Sequence, residues 1–289
     1  MQVSSNDAVT QRARRAPLFA RTRLILHILQ GALVLVTVYR WSNAERRLAL
    51  IRNWSKRLLA LCGITLQVHT HGEVLAGGAM VVSNHVSWLD IFAINAWRPT
   101  PFVAKSEIAR WPVIGWMAGT VGTVFIHRRR RSDAKRIVDM LSDILQRQGL
   151  VCLFPEGTTS DGTEVLDFHA NILQAAVSAG APVQPLCVMY EDAEGRQSIA
   201  PAYVGDLTLG ETLQQVLACA PITAHLYVGA PIYGLGQRRE AAVRAHEAVS
   251  DALRALQTLV APVDAAALAE AQRRTAARPP EFAAGARRE

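Results

Sequence analysis

The run Ser83-Asn84-His85-Val86-Ser87-Trp88-Leu89-Asp90 sets a histidine and an aspartate five positions apart. An imidazole can take and return a proton near neutral pH. A carboxylate bonded to one ring nitrogen fixes the tautomer and leaves the other nitrogen free as a base. On one regular helix, five positions turn a side chain through about 140°, so His85 and Asp90 would face apart. A break between them solves the geometry. Ser87-x-x-Asp90 reads as a capping box, with Ser87 as N-cap and Asp90 in the first helical turn. His85 then lies in the preceding loop, at a strand end, and can fold back onto the Asp90 carboxylate. A loop histidine that merely neighbours a capping aspartate has the same spacing.

Three more segments carry polar chemistry at the ends of apolar runs. Phe154-Pro155-Glu156-Gly157-Thr158-Thr159-Ser160 supplies a carboxylate, hydroxyls and a glycine that lets backbone come close. Taken alone it is also an ordinary polar turn. Gly122-Thr123-Val124-Phe125-Ile126-His127-Arg128 delivers an arginine at the end of a strand-like run, where a cation calls for an anionic partner. Arg129 to Arg131 read as a solvated charge run. In Val183-Gln184-Pro185-Leu186-Cys187-Val188, a proline inside a strand predicts an edge or a bulge.

In this order the four segments resemble the glycerolipid acyltransferase family, which includes the 1-acylglycerol-3-phosphate acyltransferases. Its marks are an N-H-x-x-x-x-D block, a G-x-x-F-I-x-R block, an F-P-E-G-T block and a V-x-P block. All four are present, and the similarity covers roughly Gln67 to Val188. The resemblance implies His85 as general base and Asp90 as the group that orients it. The acceptor hydroxyl then attacks a thioester carbonyl with no acyl-enzyme intermediate. It also implies acceptor binding at Arg128, Glu156, Gly157 and Thr158. Lys105, in Val103-Ala104-Lys105-Ser106-Glu107, matches a basic position often found between the first two blocks. No metal and no bound cofactor are implied, and the donor would be acyl-CoA or acyl carrier protein. Many family members carry arginine where this chain has Thr159. That removes a cation from the acceptor site and makes phosphate-free lyso-ornithine lipid the alternative, while lysophosphatidate, the commonest acceptor in the family, is the expected one because Arg128 is retained.

The elements that must position these residues alternate between strand and helix. Strands are expected at Ile64–His69, Ala79–Ser83, Phe102–Ala104, Thr123–His127, Leu150–Phe154, Val183–Tyr190 and Ala224–Val228. Helices are expected at Trp88–Trp97, Ile108–Ala118, from Ser132 as N-cap to Gly149, and over Asn171–Ser178, Leu209–Cys219 and Gln237–Leu259. Such alternation predicts an α/β fold, a mixed and largely parallel sheet flanked by helices, with ligands at the strand ends.

Ahead of the sheet, Leu24 to Tyr39 is strongly apolar, though its 16 residues fall short of the roughly 20 of a comfortable span. From Ala44 to Cys62, apolar residues recur at helical spacing among five arginines and lysines. That pattern fits a basic helix lying among lipid headgroups, and an ordinary core-facing helix shares its periodicity. The expected organisation is a basic arm with a membrane-associated helical hairpin over 1–63, an acyltransferase domain over 64–260, and a largely unstructured tail over 261–289.

Charge and composition narrow the partners. The chain carries a net +7, with half of its residues apolar and a slightly positive mean hydropathy. Five arginines against one aspartate in the first 23 residues, and four contiguous arginines from Arg128, suit an anionic surface. No nucleic-acid-reading motif accompanies them, so membrane lipids are the expected partner, at the cytoplasmic face of the inner membrane. The four cysteines are scattered without a C-x-x-C pair, and Cys152 and Cys187, in apolar strand-like runs, read as buried free thiols of a reducing compartment. Two rival classes remain. A metal-dependent phosphoesterase would need three or four converging ligands, and a non-catalytic membrane-binding module would leave the ordered motifs without a role.

Overall fold

The computed structural model describes residues 18–126 and 131–276. Its elements are α1 (Leu18–Thr37), α2 (Ala44–Leu61), β1 (Ile64–Thr70), β2 (Ala79–Ser83), α3 (Leu89–Trp97), β3 (Val103–Lys105), α4 (Ile114–Thr120) and β4 (Val124–Ile126). They continue with α5 (Arg131–Gln146), β5 (Leu150–Leu153), α6 (Ala170–Ala179), β6 (Val183–Glu191), α7 (Leu209–Cys219), β7 (Ile222–Val228), α8 (Arg238–Gln257) and α9 (Ala265–Ala276).

The main sheet has the order β1-β7-β6-β2-β5, with every pair parallel except β6 against β7. β3 and β4 form a parallel pair of their own, joined to β5 through a bridge between Phe102 and Cys152. The expected mixed, largely parallel sheet is therefore what forms. Every residue of β2 is buried, and so are all but the last of β6, as strands covered on both faces must be.

Two apolar layers sandwich the sheet. Leu58, Leu59 and Cys62 of the α2 end, with Ala93 and Ile94 of α3, cover Val81, Leu186, Val188 and Leu226. On the other face, Leu141 and Leu145 of α5, Leu173 of α6, and Ala245, Val249 and Leu253 of α8 cover Met80, Val82, Val183 and Met189. The alternation of neighbours along β2 and β6 between the two layers is the period-two signature of a strand.

Some expectations need correction. β6 is an inner strand, not an edge. Its Pro185 is tolerated because its carbonyl takes the Gly229 N–H just past the end of β7, so the donor that proline lacks falls where that ladder stops. α5 starts at Arg131, which puts Ser132 inside the first turn and not at the cap. The tail from Ala261 carries α9, whose first N–H groups, of Ala266 and Ala267, donate to Asp264. An alanine-rich run with such a cap is a good helix former.

The N-terminal elements differ from a simple hairpin. α1 runs for 20 residues, and the stretch Ala20–Trp41 is long and apolar enough to cross a membrane by length and composition. It exceeds the 16-residue stretch Leu24–Tyr39 because it takes in Arg21 and Arg23 at one end and Arg40 at the other. α1 lies against α2 through a stack of His27 on Trp54, with Gly31 leaving room for the indole. Asn43 caps α2 by accepting the Arg46 N–H. The second half of α2 is a core helix, since Leu58, Leu59 and Cys62 share the buried layer with α3, while Leu48 near its start is exposed.

Candidate active site

β2 delivers the chain into a short loop, and α3 begins at Leu89. The Asp90 side chain gathers that loop. Its Oδ2 accepts from His85 Nδ1, from the Val86 N–H and from the Ser87 N–H, each at 2.8 Å. Its Oδ1 accepts the Tyr190 hydroxyl at 2.7 Å. Asp90 is 0% exposed and Tyr190 1% exposed, so four donors offset the cost of burying this carboxylate. The capping box is half formed. The carboxylate reaches back to the Ser87 N–H as expected, but Trp88, not Ser87, is the residue that precedes the helix, and the Ser87 hydroxyl accepts from the Leu89 N–H at 3.3 Å, not from Asp90.

Nδ1 of His85 faces the carboxylate and therefore carries its proton toward it. The ring lies flat on Phe154, with centroids 3.9 Å apart and planes 7° from parallel. Phe154 in turn stacks on Phe102. The His85 side chain is 20% exposed, and its Nε2 has no hydrogen-bond partner among the described residues. The arrangement is a histidine held on one face and one edge, with its remaining nitrogen open. A group so held can act as a base toward a hydroxyl brought to that nitrogen.

The loop after β5 clamps the histidine backbone from the other side. Glu156 Oε1 accepts the His85 N–H at 3.0 Å, and the Ser160 N–H donates to the His85 carbonyl at 2.8 Å. Gly157, at φ +70°, allows the chain to turn directly after Glu156. Burial pushes the Glu156 carboxyl up to about 8; the His85 N–H opposes this, the Asp90 charge adds to it and the Leu166 N–H opposes it. At neutral pH Glu156 is thus largely an uncharged acid. Its Oε2 is buried without a hydrogen-bond partner among the described residues. The Thr159 hydroxyl donates to the Tyr203 carbonyl, and the Tyr203 N–H donates to the Val86 carbonyl at 2.9 Å. The strap around Tyr203 therefore ties the two site loops to each other.

The structure brings His85, Asp90 and Glu156 together, with half-buried Gly157 and Thr158 following in the same loop. Lys105 ends β3, exposed, at the end of the sheet where β2 and β5 also finish. Arg128 lies outside the described residues. Among those described, no three His, Cys, Asp or Glu side chains converge as metal ligands would.

Sequence reasoning gave no role to two residues that hold the site. Tyr190 grips Asp90 from β6, and burial together with the Asp90 charge holds its phenol well above the usual range, so it remains a donor. A tyrosine at the end of an otherwise apolar strand was the available signal, because a buried phenol needs a partner. Asn84 donates to the Val188 carbonyl at 2.9 Å and accepts the Val188 N–H at 2.8 Å, continuing the β2–β6 ladder with a side chain. Its signal was its place beside His85 in an apolar strand end.

With this geometry in view, the relatives can be compared. The pattern of the Acyltransferase family matches residues 65–189, which span β1 to β6 and contain the whole His85–Asp90–Glu156 cluster. The chain is 40% identical over 168 residues to a 1-acyl-sn-glycerol-3-phosphate acyltransferase of Neisseria gonorrhoeae, covering 58% of this chain and 66% of that one. It is 35% identical over 208 residues to a lyso-ornithine lipid O-acyltransferase of Pseudomonas aeruginosa, covering 72% of this chain and 79% of that one. Its fold is similar to that of the crystal structure of a 1-acyl-sn-glycerophosphate acyltransferase from Thermotoga maritima. The TM-score is 0.57 at 20% identity, over 82% of this chain and 98% of that one.

Proposed function

The chain belongs to the Acyltransferase family, and from that premise we propose that it moves a fatty acyl group from a thioester onto the free hydroxyl of a lysolipid. Relatives that act on two lysolipids, a glycerol phosphate and an ornithine lipid, share its sequence over more than half its length. The observation that carries the mechanism is the pairing of His85 Nδ1 with a fully buried Asp90 at 2.8 Å, while Nε2 stays open.

In this reading the acceptor hydroxyl gives its proton to His85 Nε2 as its oxygen attacks the thioester carbonyl. The imidazolium is stabilised through Nδ1–H by Asp90, whose charge is held in place by Tyr190 and two loop N–H groups. The tetrahedral intermediate then collapses, the C–S bond breaks, and the thiolate leaves with the proton returned from His85. No bound cofactor enters these steps. Glu156, as an uncharged acid, fixes the His85 backbone and leaves Asp90 as the charge nearest the ring. Gly157 and Thr158 line the acceptor side, and Lys105 and Arg128 are the cations proposed for an acceptor phosphate.

The proposed acceptor is 1-acylglycerol-3-phosphate, giving phosphatidate, with acyl-CoA or acyl carrier protein as donor. Thr159, tied to Tyr203 where many relatives have arginine, favours lyso-ornithine lipid as the second reading. α1, with arginines on both flanks, would hold the enzyme to the cytoplasmic face of the inner membrane. The test is the purified chain offered a panel of lysolipids with both donors. Transfer to 1-acylglycerol-3-phosphate supports the proposal, transfer to lyso-ornithine lipid alone replaces the acceptor, and transfer to neither refutes the reading.

A further inference from the structure

Between β3 and β4 the chain makes a turn that exposes what a soluble surface normally hides. Trp111 and Val113 are each 41% exposed and Trp116 is 47% exposed, with exposed Arg110 beside them. The turn is built, not loose. Trp111 N–H donates to the Ile108 carbonyl, Gly115 N–H to that of Trp111 and Met117 N–H to that of Val113. Gly115 sits so close to the Ile108 and Ala109 carbonyls that a Cβ would not fit. Val113 itself has φ +64° and ψ −56°, with the Ile114 N–H bonded to the Pro112 carbonyl at 2.7 Å. That is a γ-turn strained for a β-branched residue, and strain of this kind gathers at working surfaces. Its outcome is to hold Val113 outward between two tryptophans.

Two placements say what covers this patch. First, it adjoins α1, since Met117 of α4 lies beside Gly31. α1 presents Ile25, Leu26, Leu29, Leu33 and Val36, each more than half exposed. Two neighbouring elements therefore each expose large apolar side chains, with exposed Arg110 in the turn and exposed Arg40 just past the end of α1. Second, β2, β5, β3 and β4 run parallel, so the turn that follows β3 leaves the sheet at the same end as His85 and Glu156. Tryptophan beside arginine on an apolar surface is the composition of a bilayer interface.

We propose that the Arg110–Trp116 turn is a second lipid-contacting element, seating the catalytic end of the sheet on an anionic bilayer beside α1. This rests on the lysolipid reading for its purpose: an acceptor lying in the bilayer surface reaches His85 without being extracted. The occupant is lipid, and a second copy of the chain is the outcome to be excluded.

The experiment uses the full chain with vesicles of equimolar phosphatidylglycerol and phosphatidylcholine, part of it brominated. Subtracting the emission of a Trp111→Phe, Trp116→Phe variant from that of the wild type isolates those two tryptophans. That difference should be quenched by brominated lipid and shielded from aqueous iodide. Quenching by iodide alone, or a dimer in sedimentation that the variant abolishes, overturns the proposal. Separately, Trp111→Gln, Val113→Gln, Trp116→Gln should slow acylation of a vesicle-embedded lysolipid by about tenfold, because interfacial binding scales with buried apolar area. It should leave acylation of a dissolved short-chain lysolipid unchanged. Equal slowing on both substrates also overturns it. A wild type quenched by brominated lipid that acylates neither substrate would refute the lysolipid reading and still support the lipid contact.

Discussion

Two histidine–carboxylate pairs sit in this sheet, and their distances do not tell them apart. His85 meets Asp90 at 2.8 Å, and His225 meets Glu191 at 2.7 Å. What differs is which partner is buried and which nitrogen is spare. In the first pair the carboxylate is fully buried and held by four donors, while the imidazole is 20% exposed with Nε2 open. In the second the imidazole is the buried partner at 5%, the carboxylate is 23% exposed, and both ring nitrogens are occupied. His225 Nε2 faces Glu191, and its Nδ1 meets His69 Nε2 at 3.0 Å. The second pair joins two strands of the sheet, His225 inside β7 and Glu191 at the end of β6, whereas the first hangs off the end of β2 in the loop before α3, where ligands reach a parallel sheet. A base needs an oriented ring with a nitrogen to spare, and only His85 has one of the two.

That contrast can be broken in graded ways. The largest effect is expected from Asp90→Asn, which keeps the shape of the side chain and removes the charge that stabilises the imidazolium. Turnover should fall on the order of a hundred- to ten-thousandfold. Initial rates at saturating acceptor, with thermal melts to verify folding, measure it. A loss of similar size on Glu191→Gln would erase the distinction between the pairs.

Tyr190→Phe sharpens the contrast by loosening the first pair. Without the phenol hydrogen bond, Asp90 Oδ1 is buried with no donor, and the carboxylate interacts more strongly with His85 Nδ1–H. The acid limb of the kcat/KM profile should move to higher pH, costing several-fold near neutrality and little at high pH. A uniform loss across the profile would mean that Tyr190 serves packing alone.

Glu156 offers a stability signal of its own. Its carboxyl is raised to about 8 in the folded chain, above an unfolded value near 4.5. Between those values the folded state holds a proton that the unfolded state releases, so the contribution is full below about pH 4.5 and is lost as pH rises through about 8. The slope is at most about 1.4 kcal/mol per pH unit. Denaturant midpoints across pH 5 to 8 should decline less steeply for Glu156→Gln than for the wild type. Equal slopes would show the carboxyl ionised throughout. The smallest effect is expected at His225→Gln, whose turnover should stay within about twofold of wild type.

The His85–Asp90 pair was legible because its constraint is local. Five positions with a serine between histidine and aspartate admit few geometries, and the fold-back read from the sequence is the one that forms, with the helix preceded by Trp88 and the Ser87 hydroxyl meeting the Leu89 N–H. Strands β2 and β6 were legible from their unbroken apolar runs. What escaped depends on contacts distant in sequence. Tyr190 meets Asp90 across 100 residues, and Glu156 reaches the His85 N–H across 71. Pro185 reads as an edge or a bulge from sequence, and only the register shows that it sits in an inner strand where β7 stops opposite it. α2 reads as a headgroup helix or a core helix from periodicity alone, and only its packing on α3 shows that its second half is buried.

The most direct test is made at the open nitrogen. His85→Ala removes the ring from its seat on Phe154 and leaves Asp90 with three of its four donors, so the loop should hold its fold. Purified variant and wild type would be given radiolabelled acyl-CoA and 1-acylglycerol-3-phosphate in mixed micelles, with circular dichroism recorded on the same samples. The expected result is an unchanged spectrum and a loss of phosphatidate formation of at least about a hundredfold. Wild-type turnover from the His85→Ala chain would contradict the assignment of His85 as the base.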